Sequence, residues 1–189
     1  MKTERFEALI DAILAIIITI IVLELPLPAD GSWAALYALR YEYAIYAVSF
    51  IVCFNYWNFN NNIFSIVNRI DEKVIWTMGI SLFIFSLLPY MTTFVSQNYY
   101  LFLPQFTYGL IFITTAIFSI LVGKFLKESD PANIALQVKI SDHTPMYFTI
   151  IIILIGMVVG YFTYPPAIIY CCLISIFGVW FIPKIMFKL

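Results

Sequence analysis

The sequence predicts an all-α, polytopic membrane protein with six transmembrane helices per subunit. Three observations predict it. First, 63% of the 189 residues are hydrophobic, with a mean hydropathy of +0.96. Second, only 11% are Asp, Glu, Lys or Arg, against roughly 25% in soluble domains; a monomer this small cannot cover its surface with so few charges. Third, six apolar runs reach the ~20 residues that a helix rising 1.5 Å per residue needs to cross a bilayer. The runs are continuous rather than alternating, which argues against a membrane barrel. The composition also excludes disorder. A net charge of -1 leaves no general basic surface for nucleic acid. A single domain over residues 1–189 is expected.

The first run, 8–27, is stopped by Pro26 and Pro28, which cannot continue a helix. Lys2 and Arg5 precede it as in a signal peptide, but Glu4, Glu7 and Asp11 intrude. No small-x-small cleavage site follows, so it reads as a retained membrane helix. The second run is 39–58 and leaves the membrane through an Asn-rich, aromatic stretch, 55–62. The third is 74–95, with Pro89 near its outer end, and the fourth is 103–125. The fifth, 146–164, carries Gly156 and Gly160 at the spacing of close helix packing. The sixth, 166–186, follows Pro165-Pro166. Within the link 127–145, Ser129 or Asp130 reads as a helix cap, and 132–140 as a short amphipathic helix at the membrane surface.

Loop charges set the orientation. With the N-terminus inside, the inner segments hold Lys2, Arg5, Arg69, Lys73, Lys124, Lys127, Lys139, Lys184 and Lys188, and the outer segments hold only Arg40. This positive-inside bias and the even span count both place the two termini in the cytoplasm of a multi-pass cell-membrane protein.

Enzyme signals are absent from the sequence: it has no Gly-rich phosphate loop, H-E-x-x-H or G-x-S-x-G. The single histidine, His143, reads as a surface residue of an inner loop. Cys53, Cys171 and Cys172 lie in apolar runs without redox or zinc spacing. Trp33, Tyr99, Tyr100, Tyr164 and Trp180 suit interfacial belts. No cofactor or metal site is expected.

The informative charges lie on the first span. A carboxylate near the inner boundary, Asp11, is costly unless paired or hydrated and so marks a functional-site candidate. It reads either as a helix N-terminal charge or as part of a polar anchor with Arg5, bonded to amides and indole nitrogens of the second span. Trp57, Asn58, Asn60, Asn61 and Asn62 emerge at the same depth. Ile16, Ile20 and Leu23, spaced four and three apart, form one stripe with Thr19 beside it. Spacing alone reads such a stripe as packing or lipid contact. About 140° separates it from Asp11 at 100° per residue.

The segment from Arg5 through Asp11, running into Ala12-Ile-Leu-Ala-Ile-Ile-Ile-Thr19-Ile-Ile-Val-Leu23-Glu24-Leu25, resembles the prokaryotic branch of the transmembrane protein 175 potassium channels of endosomes and lysosomes. Their first helix opens with R-x-x-x-F-S-D and continues into an A-I-x-I-T-x-x-V-L-E-L-like segment. Ser49-Phe50, Tyr56-Trp57 and Phe64, then Arg69-Ile-Asp71 and Leu87-Leu88-Pro89, are similar to family patterns of the next two spans. The resemblance implies a homotetramer of six-helix subunits whose four first helices surround the ion path. It implies a constriction of aliphatic rings, here Ile16, Ile20 and Leu23 with the Thr19 hydroxyl nearby, rather than a carbonyl filter. Two departures stand out. The family's F-S-D is Leu9-Ile10-Asp11, and its paired histidines align with Asn60 and Asn61, so the inner network is bonded through amides, which do not titrate.

On this reading, potassium ions are the permeant species. Glu24, Asp30 and Glu42 concentrate cations at the outer mouth. The aliphatic rings dewet when narrow and conduct when slightly widened, with modest selectivity over sodium. The alternative is a secondary transporter or proton-coupled carrier, which would use a broken helix and an ionisable residue near the midplane.

Overall fold

The computed structural model describes residues 3–186, with side chains through residue 178. Lys2 and Lys188, and the side chains of Trp180 and Lys184, lie outside the described residues. The described chain is helical throughout, without strands: α1 Thr3–Leu23, α2 Trp33–Ala38, α3 Arg40–Phe64, α4 Glu72–Phe85, α5 Leu88–Gln97, α6 Phe102–Ser129, α7 Ile134–Ser141, α8 Thr144–Phe162 and α9 Ala167–Met186.

Four stretches are long and apolar enough to cross a membrane: α1, α4 with α5, α6, and α7 with α8. α9 counts as a shorter apolar helix over Ala167–Gly178. α3 has the length, 25 residues, but its asparagines lower its hydropathy. The helix runs on past the expected end of the second span at residue 58. Asn60 Nδ2 donates to the Tyr56 carbonyl at 2.8 Å and Asn62 Nδ2 to the Asn58 carbonyl at 2.7 Å. Each amide bonds a carbonyl of its own helix, and α3 continues to Phe64.

The expected third span is one apolar stretch, Glu72–Gln97, built of two helices. Pro89 has no N–H to offer the carbonyl of residue 85, so α4 ends at Phe85 and α5 restarts at Leu88 with the proline in its first turn. Neither Ser129 nor Asp130 caps the inner-link helix. α7 begins at Ile134, capped by Asn133, whose Oδ1 accepts from Leu136 N at 3.1 Å. Asp130 instead closes α6 and ties loops together, accepting from Asn68 N at 3.1 Å and Asn133 Nδ2 at 3.0 Å. These bonds hold its carboxyl below the usual carboxylate range, Asn133 contributing most.

α6 is the hub, touching α4, α5, α7, α8 and α9, while α1 lies on α3, α4 and α5. Lipid is as apolar as leucine, so small residues and interhelical hydrogen bonds rather than hydrophobicity choose among helix arrangements. Both devices are present. A Cβ on Gly156 would sit 2.8 Å from Cys171 Cβ, so α8 and α9 meet only because that side chain is missing. In the buried centre, Thr92 Oγ1 donates to Ser49 Oγ at 2.8 Å, and Ser49 Oγ lies 2.8 Å from Tyr108 OH, pinning α5, α3 and α6 together. Tyr56 OH lies 2.9 Å from Ser81 Oγ, joining α3 to α4.

Candidate functional site

The first helix has two unlike faces. Phe6, Ile10, Leu14, Ile17 and Ile21, at spacings of three and four, are buried. Phe6 meets Phe64 edge-on at 5.8 Å between ring centroids, and the Leu14 carbonyl lies 3.9 Å from the Cys53 thiol. The opposite face is bare. Ile16 is 57% exposed, Ile20 37% and Leu23 79%, and Thr19 is exposed with them. At 100° per residue these four occupy an arc of roughly 100°. The bare stripe also runs further inward than expected, through Ala12 to Leu9, both exposed. The spacing Leu9–Ala12–Ile16 carries that signal in the sequence, but Leu9 is masked there by its alignment with an aromatic motif position.

Thr19 Oγ1 donates to the Ile16 carbonyl at 2.8 Å. The proton is therefore turned into the helix, and the oxygen lone pairs remain on the bare face. Lone pairs are what a cation needs, so the hydroxyl is oriented as an acceptor.

Towards the N-terminus of α1, Trp57 Nε1 donates to Asp11 Oδ1 at 2.9 Å across α1 and α3. The other residues expected around Asp11 are not brought to it. Arg5 is exposed, with no ion pair among the described residues. Asn60 is buried but bonded to its own helix. Asn61 is half-buried, without a side-chain bond to α1 among the described residues.

The three carboxylates expected at the outer mouth differ in their surroundings. Glu24 Oε2 accepts from Thr93 Oγ1 at 3.0 Å, fastening the end of α1 to α5; the sequence reading missed Thr93, which nothing local distinguishes. Asp30 Oδ1 accepts from Ser32 N at 2.8 Å. The Ser32 bonds hold its carboxyl below the usual range, so it is charged at neutral pH. Glu42 is half-buried, and its Oε2 is enclosed without a hydrogen bond among the described residues.

A further bare apolar surface adjoins the stripe. Trp76 and Phe83 of α4 are 72% and 69% exposed, and with Leu9 and Ile13 they line a groove of about 400 Å³ between α4 and α1.

The model of the family described as endosomal/lysosomal potassium channel TMEM175 matches residues 5–89, which include the whole of the stripe. A potassium channel of a Chryseobacterium species is 32% identical over 97% of this chain and 94% of its own length. A potassium channel of Streptomyces collinus is 34% identical over 51% of this chain and 48% of its own. Among solved structures, a lysosomal potassium-selective channel TMEM175 homolog from Chamaesiphon minutus superposes with a TM-score of 0.74. It is 20% identical, with 93% of this chain and 95% of that chain covered. The near full-length match to the Chryseobacterium channel and the family match over the first helices agree, and the chain belongs to the TMEM175 potassium channel family as a prokaryotic member.

Proposed function

We propose that this protein is a potassium-permeable cation channel assembled from four copies, with α1 of each copy lining a central pore. The observation that carries the reading is the bare face of α1, an aliphatic stripe with a single hydroxyl that the rest of the subunit leaves uncovered. One helix cannot enclose an ion path, so identical stripes around a closed symmetry axis are required. The names of the relatives supply the ion. Six membrane crossings are assigned to α1, α3, α4 with α5, α6, α8 and α9, in one domain, with both termini on the cytoplasmic side.

In this assembly Ile16, Ile20 and Leu23 form successive hydrophobic rings. A ring too narrow for a hydrated ion dewets, and slight widening restores water and current. The sequence holds no T-V-G-Y-G-like loop to replace potassium's water shell. Selectivity therefore comes from the cost of partial dehydration, eased by Thr19 oxygens, and is modest over sodium. Asp30, Glu24 and Glu42 raise the cation concentration at the outer mouth. Asp11 and Trp57 fix the rotation of α1 without touching the ion. The activity is permeation, with no chemical step.

The break between α4 and α5 is the feature a carrier would use. Ser86 and Leu87 carry no charge there, so the break holds no titratable side chain to couple protons. The test is a flux assay on purified protein in liposomes under potassium, sodium and caesium gradients. A linear current, larger for potassium than sodium, supports the channel. Saturating, proton-coupled uptake would overturn it in favour of a carrier.

A further inference from the structure

The groove of about 400 Å³ between α1 and α4 is walled by Leu9 and Ile13 on one side and by Trp76, Gly79 and Phe83 on the other. The last three, spaced three and four apart, share one face of α4. A glycine inside a helix lowers its stability, and its use in a membrane helix is to let another helix approach closely. No other element of this subunit makes that approach. Among the described residues, no atom of one lies within 4 Å of the place a Cβ on Gly79 would occupy. Lipid tails flow round any side chain and make no demand for glycine. Gly79 therefore points to a protein neighbour from outside the subunit.

Helix geometry says which surface of a second copy arrives there. Asp11 is two residues from both Leu9 and Ile13, about 200° round the helix in either direction. The groove therefore lies on one side of α1, and α3, which bonds Asp11 through Trp57, lies on the other. The bare stripe runs between them. Copies that turn this stripe to one axis meet through unlike flanks, the α4 side of one against the α3 side of the next, because a ring closes only head to tail. The α3 flank is a ridge of exposed Phe50, Ile51 and Phe54. The Phe54 ring stands 5.5 Å from that of Trp57, centroid to centroid, on the edge nearest α1. Rotation about an axis along α1 keeps each residue at its own height. Trp57 bonds Asp11, and Cys53 Sγ lies 3.9 Å from the Leu14 carbonyl. Phe54 therefore stands between the heights of Asp11 and Leu14, level with Ile13 in the groove wall.

We propose that the α1–α4 groove receives Phe54 of a second copy of this chain, its ring seated over Gly79 between Trp76 and Phe83. Aromatic rings in this setting add edge and offset contacts to the area they bury. Pairing of like faces would set groove against groove and leave both unfilled. The proposal rests on the pore reading above and adds which surfaces join the copies.

Paired cysteines in the full-length protein, cross-linked in membranes with a short bis-maleimide, test it. A chain carrying both Phe54→Cys and Trp76→Cys is expected to give dimers, trimers and tetramers on a denaturing gel. Phe54→Cys with Phe83→Cys should do the same. Each single variant should stay monomeric, as should the unaltered chain, whose Cys53 and Cys172 are buried. Dimers from Trp76→Cys alone would mean that groove faces groove and would overturn the assignment. Absence of cross-links from both pairs would overturn it too. Gly79→Leu meets no other element of its own subunit, so the chain should fold in unchanged yield while the tetramer is lost to monomers in native mass spectrometry. A tetramer that survives Gly79→Leu would contradict the seating over Gly79. Missing cross-links in a tetramer that conducts would remove the groove assignment and leave the channel reading standing. A full cross-linked ladder in a protein that passes no ions would do the reverse.

Discussion

Trp57 and Asp11 join α3 to α1 through one hydrogen bond, which in the proposed pore would set the rotation of a helix without touching the ion. If α1 lines a pore as proposed, a rotation of a few tens of degrees would carry Ile16 off its axis, and the indole–carboxylate bond at 2.9 Å resists it in the N-terminal half of the helix. A hydrogen bond to a charged group contributes about 1.5–3 kcal/mol. Trp57→Phe is expected to lower the stability of the assembled protein by that amount, read as thermal unfolding in detergent. Asp11→Asn should reduce the yield of folded oligomer more than it alters ion preference, read by size-exclusion chromatography beside flux. A changed selectivity with normal assembly would place Asp11 at the ion path instead. At the buried centre, Thr92→Val removes the donor to Ser49. Interhelical bonds in membranes average about 0.6 kcal/mol and reach about 1.7 kcal/mol, so a loss within that range is expected in the same unfolding measurement.

At the scale of elements, the helices divide by how they are held. α8 and α9 depend on absent side chains. Gly156→Leu would drive a branched side chain into Cys171 and the Ile168 backbone, whose nearest atoms lie 2.8 Å and 3.3 Å from even a Cβ. Overpacking of this kind costs about 1–3 kcal/mol, and a reduced yield of folded protein is the expected result. Close packing at Gly156 and Gly160 was legible from their spacing on an apolar helix; that α9 is the partner was not. The break after Phe85 was not legible. Pro89 was visible, but a proline near a helix end either terminates it or begins the next, and only the α5 contacts with α3 and α6 settle which. The cap at Asn133 was misread for a related reason. Ser129-Asp130-Pro131 has the composition of a helix start, yet Asp130 finds better partners in Asn68 and Asn133 across the loop, which no local pattern discloses. The run of asparagines after Asn55 reads as an exit from the membrane; that the helix itself continues through it to Phe64 was not legible from its polarity.

At the scale of the whole molecule, the proposed assembly is what would give the bare stripe on α1 its partners. Its periodicity was plain in the sequence, and Ile16, Ile20 and Leu23 were separable from Asp11 by helix geometry. Which face the subunit would cover was not, since Ile10, Leu14, Ile17 and Ile21 are equally apolar and differ only in finding α3, α4 and α5 against them. A uniformly hydrophobic helix hides its buried side, and tertiary packing is needed to reveal the bare one. The bare surface continues onto Trp76 and Phe83 of α4, where a neighbouring copy would complete the groove beside α1. The measurement that tests the central claim most directly is potassium flux through reconstituted Ile16→Asn and Leu23→Asn proteins beside the unaltered chain. A polar side chain at a hydrophobic ring holds water, so both variants should leak potassium faster and discriminate less against sodium. Variants that assemble normally and conduct as the unaltered protein does would contradict the assignment of the α1 stripe to the pore.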